Sequence, residues 1–448
     1  MRWTRRTLVA STLASIVAPA ILRLARADAP QVTFKLHHYF SAVSATHEKF
    51  LAPWARKVEA ETGGRIRIDL FPSMQLGGAP AQLFDQARDG LADIVWAAPG
   101  ATPGRFPKSE VFELPFVLSH RALVNSKAME DFAGANLQDE FHEFHALCFS
   151  CRDRGVLHTA RAIQSIADVK GLRLHVPNRL AGESVRALGA QGISVPTPQV
   201  PMALIAHAID GCLDPWDAVP ALRFNDSLKN HTDFAEQALS TATFVLAMNK
   251  QAYERLPRDL KTVIDNNSGQ TAAGMAGAMW DLEASAVAGV ARDRGDVVAM
   301  LSGEEVAPWR KATEPVVALW QKQMKERKLD GENLLAIVNS LLAKYADEPE
   351  PEPPQAARPV EQPSEQQADT APKQLQTAQP KPEAFTRPKA DAPAAEGAAA
   401  PLGASTPPSA VSAAPSPPAS SVSPPAPAAK PAPAPVAAPR PKELDIPL

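Results

Sequence analysis

The chain has 448 residues, a formal charge of −3 and 45% hydrophobic residues, which is enough for at least one large core and leaves room for two. A near-neutral balance without basic blocks argues against nucleic acid as a partner. Three cysteines, Cys148, Cys151 and Cys212, are too few for a disulfide framework, so packing is expected to hold the fold.

The first residues read as an export signal. Arg2, Arg5 and Arg6 form a positive start, Leu8 to Leu22 an apolar run, and Ala25-Arg26-Ala27 a small-x-small cleavage site before Asp28. The run Thr4-Arg5-Arg6-Thr7-Leu8-Val9 also has the form of a twin-arginine signal. The apolar run is short for a bilayer span and Arg23 and Arg26 follow it, so cleavage near Ala27 and a soluble periplasmic chain are expected.

Beyond the signal, Val32-Thr33-Phe34-Lys35-Leu36 alternates like a strand. Phe50, Leu51, Trp54 and Val58 then share one helical stripe before Gly63-Gly64, and Ile66, Ile68 and Leu70 alternate again. A helix over 80–89 and a strand at Asp93–Trp96 continue the series, which implies a parallel sheet covered by helices. The pattern recurs as a strand at Gly171–Pro177, a helix at Arg179–Leu188 and a strand at Ile193–Val195, so a second α/β lobe is expected. Helical periodicity fills 271–292, 308–328 and 332–345. Two α/β lobes leave a cleft between them, and ligands favour such interfaces and the carboxyl ends of parallel strands.

Several strings stand in register: Phe71-Pro72-Ser73-Met74-Gln75-Leu76-Gly77-Gly78, Asp89-Gly90-Leu91-Ala92-Asp93-Ile94-Val95-Trp96, Phe112-Glu113-Leu114-Pro115-Phe116 and Lys170-Gly171-Leu172-Arg173-Leu174-His175-Val176-Pro177. Val195-Pro196 through Ala208-Ile209-Asp210-Gly211, and Met248-Asn249-Lys250 with Tyr253 and Leu256-Pro257, follow in order. Together, over about Val32 to Tyr345, they resemble the solute-binding proteins of tripartite ATP-independent periplasmic (TRAP) transporters. The stretches Gly100–Pro107 and Asp214-Pro215-Trp216-Asp217 resemble a branch taking dicarboxylate-type or aromatic acids.

The resemblance implies an α/β, two-lobed periplasmic binding protein fold with the ligand in the cleft. Lobe I would hold 28–152 and 241–270, and lobe II 153–240 and 271–300 with a long inter-lobe helix. Helices over 301–347 and a disordered Pro/Ala-rich tail over 348–448 would follow. It also implies a small organic acid as ligand, the membrane subunits of a TRAP permease as partners, a monomer, no cofactor and no enzymatic activity. The family's anchor is an arginine that grips a carboxylate through two parallel hydrogen bonds. The matching position here is His175, and an imidazole is not a permanent bidentate cation. Either the ligand differs from the family norm or another cation serves, Arg179 first among Arg179, Arg173, Arg105 and Arg154; the opposite reading of these arginines is that they are solvated or make structural ion pairs. Gln199 and Met202 stand where the family carries acidic residues.

Trp96 and Trp216 fall at strand ends, where a flat wall would stack on a ring-bearing acid, or they pack in the cores. Asp214 would accept a ligand hydroxyl or cap local backbone. His142, His145, Cys148 and Cys151 recur every third residue, but such spacing in one short segment does not make a tetrahedral site, and no metal is expected. The tail from Glu348 carries more than half of the 44 prolines and one aromatic residue, Phe385. It cannot bury enough apolar surface to fold, and would serve as a linker or as an envelope tether. Two rival functions share these features: a periplasmic sensing subunit for a signalling receptor, and an envelope structural protein with a degenerate cleft.

Overall fold

The computed structural model describes residues 29–352; the expected export signal and most of the Pro-rich tail lie outside them. Eleven strands are described: β1 (Val32–His38), β2 (Ile66–Phe71), β3 (Ile94–Ala97), β4 (Phe144–Cys151), β5 (Val156–Thr159), β6 (Arg173–His175), β7 (Gln191–Ile193), β8 (Gly211–Asp214), β9 (Asn230–Phe234), β10 (Thr243–Asn249) and β11 (Val297–Leu301). They form two sheets, one in the order β2-β1-β3-β10-β4 and one in the order β11-β9-β5-β8-β6-β7. Neither sheet is purely parallel, contrary to what the strand–helix alternation implies. β10 runs antiparallel to β3 and β4, and β5 runs antiparallel to β8 and β9. The reason is topological: β5 and β10 are the strands by which the chain arrives from the other lobe, so each enters its sheet from the opposite end.

The crossings are short and paired. The Arg152 amide donates to the Ala242 carbonyl (2.9 Å) and the Gly155 amide to that of Ser240 (2.7 Å), binding the outgoing segment to the returning one. Each lobe has its own cores. On β3, Ile94 and Trp96 face one core of the first lobe while Val95 and Ala97 face another, so this strand is apolar on both sides, as sheets with two covered faces require. The helix expected from Thr46 begins with a wide turn, Thr46–Leu51, and continues as an α-helix over Ala52–Glu61. Pro53, which has no amide proton to offer the turn before it, marks the change.

The long helix Gln270–Asp293 ties the lobes together. Ala276 and Trp280 pack in the first lobe; Ala284, Ala288 and Ala291 pack in the second. Its small residues allow close approach: a Cβ added at Gly277 would lie 2.6 Å from the Leu123 Cα and 2.8 Å from the Ala122 carbonyl oxygen. One turn later the Asp281 carboxylate accepts the amides of Ala122 (2.6 Å) and Leu123 (3.0 Å), satisfying the first donors of the helix Ala122–Asn136. Gly277→Ala gains up to about 1 kcal/mol of helix propensity, but its methyl meets backbone that cannot yield. A net loss of about 1–3 kcal/mol is expected in urea denaturation.

Candidate functional site

Three strand ends converge where the lobes meet. His175 ends β6 and Asp214 ends β8, which run parallel with His175 opposite Cys212; Tyr39 and Phe40 follow β1 on the other side. Arg152 lies between them on the outgoing crossing segment. Its Nε and Nη2 donate to the two carboxylate oxygens of Asp217 at 3.0 and 2.7 Å, and its guanidinium sits 5.4 Å from the centre of the Phe40 ring. This is a buried, planar, bidentate pair, and the charge on Arg152 does not depend on pH near neutrality. Tyr39 stacks on Phe40 with ring centres 4.4 Å apart. Burial pushes the Tyr39 hydroxyl well above its usual range, with Arg152 opposing and Asp217 and Asp214 adding to the rise.

His175 and Asp214 are each 3% exposed. The His175 Nε2 stands 3.6 Å from the Asp214 Oδ2, beyond a hydrogen bond, and the His175 Nδ1 and Asp214 Oδ2 have no hydrogen-bond partner. Polar atoms in such surroundings are costly unless something satisfies them. Burial raises the Asp214 carboxyl above its ordinary range, while His175 and Arg152 pull it down. Beneath it, the His158 Nε2 contacts the Asp214 carbonyl oxygen at 3.0 Å and its Nδ1 meets the Nδ1 of His231 at 2.7 Å. The arrangement offers one buried cation, one carboxyl in a dry environment and one imidazole, all at the ends of strands between two lobes. It suits a small anion that also presents hydrogen-bonding groups.

The other arginines singled out in the sequence are committed elsewhere. Arg179 contacts Glu110 at 2.5 Å, and Arg173 is held by Asp210 at 3.0 and 2.7 Å. Arg105 reaches Asp85 (2.9 Å) and Glu143 (3.2 Å) over the rings of Phe84 and Phe106. Arg154 grips Asp233 with two bonds of 2.8 Å and also contacts Asp153. Each is paired with a carboxylate, as Arg152 is, a relation that no local spacing reveals; Arg152 differs from them in lying close enough to act on the Asp214 carboxyl. Arg179 also lines an open groove of about 380 Å³ with Glu110, Glu326 and Arg327.

The tryptophans are core residues and not cleft walls. Trp96 is fully buried, stacked on Phe244 at 5.2 Å with Phe50 edge-on at 5.1 Å. Trp216 is fully buried, donates its Nε1 to the Asp233 Oδ2 (3.0 Å) and meets His158 edge-on. A strand end fixes depth along the sheet but not the face a side chain takes, and both rings face inward. Cys148 and Cys151 pack into opposite cores of the first lobe and Cys212 into a core of the second. Met202 is 65% exposed. Arg152, Asp217 and Tyr39 were not singled out by sequence reasoning; the available signal was the pair of charged residues that ends an apolar strand, Phe149-Ser150-Cys151-Arg152-Asp153.

Residues 36–325 match DctP, the bacterial extracellular solute-binding protein, family 7. A TRAP solute-binding protein of Rhodoferax ferrireducens, solved with copurified benzoate, is 38% identical, with 70% of this chain and 98% of that one aligned at a TM-score of 0.68. A marine metagenome TRAP solute-binding protein specific for aromatic acid ligands, solved with 3-hydroxybenzoate, is 36% identical, with 71% and 99% aligned at 0.69. The y4mM protein of Sinorhizobium fredii is 26% identical over 267 residues, and the match spans 58% of this chain but only 48% of that protein. By the extent of the match and the shared two-lobed fold, the chain belongs to family 7 of the bacterial extracellular solute-binding proteins, the solute receptors of TRAP transporters.

Proposed function

We propose that this receptor captures a small aromatic carboxylate between its lobes and presents it to the membrane subunits of a TRAP permease. The observation that carries the reading is Arg152, a buried guanidinium on the crossing segment, with His175 and Asp214 beside it carrying unpartnered polar atoms. A guanidinium is the side chain best matched to a carboxylate, and a closed gap strengthens every charge contact inside it. The rings of Tyr39 and Phe40 supply apolar area beside it for an aromatic body. Likeness to the proteins solved with benzoate and 3-hydroxybenzoate supports the same ligand class.

In this reading the lobes, 28–152 with 241–270 and 153–240 with 271–300, close about the paired segments at Arg152–Gly155 and Ser240–Ala242. The working form is a monomer, exported and cleaved near Ala27, that transports and does not catalyse. A thermal-shift screen of benzoate, 3-hydroxybenzoate, mandelate, succinate and neutral sugars tests it. A ligand bound to the folded state alone stabilises it by about 2.7 kcal/mol at 100 times its Kd. Aromatic acids are expected to raise Tm by several degrees and sugars to leave it unchanged; a screen in which no acid raises Tm refutes the assignment.

A further inference from the structure

Where the lobes meet, one fixed cation, Arg152, stands against two carboxylates, Asp217 and Asp214. Arg152 is matched one to one with Asp217, so the charge that an incoming anion meets is set by what remains, His175 and Asp214. We infer that the receptor takes up a proton together with its carboxylate ligand, and that the His175–Asp214 pair receives it. The inference rests on the organic-acid reading above.

The titratable and charged groups facing the pair come from every element around it: Tyr39 after β1, Arg152 on the crossing segment, His158 on β5, Cys212 on β8 and Asp217 in the loop beyond. Burial keeps three of them uncharged near neutral pH. It pushes the Tyr39 hydroxyl and the Cys212 thiol up, and the His158 imidazole down to about 3. Arg152 and Asp217 cancel. With Asp214 ionised and His175 neutral, the site carries one net negative charge and repels a carboxylate. One proton on the pair makes the site neutral, and a second makes it positive, the complement of a monoanion. Each carboxylate that enters therefore favours the more protonated pair, and by linkage each proton on the pair favours the carboxylate.

The geometry fits that role. The two side chains stand 3.6 Å apart, close enough to share a charge yet not hydrogen-bonded, and the His175 Nδ1 and Asp214 Oδ2 are unpartnered. A ligand carboxylate can accept from the imidazolium, and a protonated Asp214 can donate to it. An arginine at position 175 would hold its charge at every pH and would make capture less sensitive to it; the imidazole makes capture conditional.

Isothermal titration of benzoate into the full chain from about pH 5.5 to 8 reads the linkage directly. Buffers of different ionisation enthalpy report the protons taken up, and benzoate itself stays ionised throughout. The expected result is a Kd that weakens as pH rises, by up to about tenfold per pH unit where uptake reaches one proton per ligand. His175→Gln and Asp214→Asn are expected to flatten the profile. His175→Arg, which places a permanent cation beside Asp214, is expected to bind with a flatter pH profile and a smaller proton uptake than wild type. A wild-type Kd constant across the range without buffer-dependent heat overturns the inference while leaving the organic-acid reading standing. A pH dependence that persists unchanged in both His175→Gln and Asp214→Asn overturns the assignment to this pair. Absence of binding by benzoate, 3-hydroxybenzoate and mandelate at every pH overturns the organic-acid reading and this inference with it.

Discussion

Arg152→Ala is expected to lower stability by about 3–5 kcal/mol and to abolish acid binding. The cost arises from what it leaves behind: Asp217, whose side chain is 4% exposed, loses both hydrogen bonds and its counter-charge. The loss of stability alone would not reveal a ligand role, because any buried pair behaves this way when one member is removed. The double variant Arg152→Met/Asp217→Leu separates the two. Replacing both charges by apolar groups of similar volume is often neutral or stabilising, so urea denaturation is expected to return most of the lost stability. Benzoate titration should still show no binding, because the cation is gone. A stable double variant that retains benzoate affinity would remove Arg152 from the site.

Glu113→Gln is expected to stabilise the protein at alkaline pH by about 3 kcal/mol relative to wild type, with little difference in acid. Glu113 is 3% exposed and accepts from the Thr243 amide (3.2 Å) and hydroxyl (2.9 Å), just where the returning crossing reaches β10. Burial lifts its carboxyl from 4.5 to about 7; the Thr243 bonds and Arg179 pull down against it, and Glu110 adds to the rise. A carboxyl raised in the folded state favours folding most fully below its unfolded value. Its contribution is lost as pH rises through about 7, because the folded state must then ionise a buried group or keep a proton the unfolded chain has released. Gln keeps the acceptor for Thr243 without the charge. Urea denaturation of both proteins at about pH 4 and 8.5 reads the difference, and a gap that stays constant between them would contradict the assignment.

Elements with strong periodicity were legible in the sequence: β1 and β2 through strict alternation, and the long helix through its Ala-rich stripe. What was not legible was anything set by contacts distant in the chain. The antiparallel course of β10 follows from the return crossing, which leaves no mark on the strand's own residues. His175 and Asp214 stand out in the sequence because each lies in a string shared with known receptors. Arg152 does not stand out because its partner is 65 residues away and the chain offers many arginines of the same appearance. Arg179 opens a helix at the edge of the second lobe, which in sequence looks like a ligand position, but Glu110 of the first lobe occupies it. Trp96 and Trp216 carried the right chemistry at the right depth. For Trp96 the face of the sheet, which a four-residue strand buried on both sides does not encode, turned the ring into the core; Trp216 lies two residues beyond β8 and is drawn inward by its bond to Asp233.

A crystal structure of the chain with benzoate tests the account most directly. The carboxylate is expected between the lobes, within hydrogen-bond distance of Arg152 and His175, with the ring against Tyr39 and Phe40. A carboxylate seated instead on Arg179 in the groove beside Glu110, or a gap that stays empty at saturating benzoate, would contradict it.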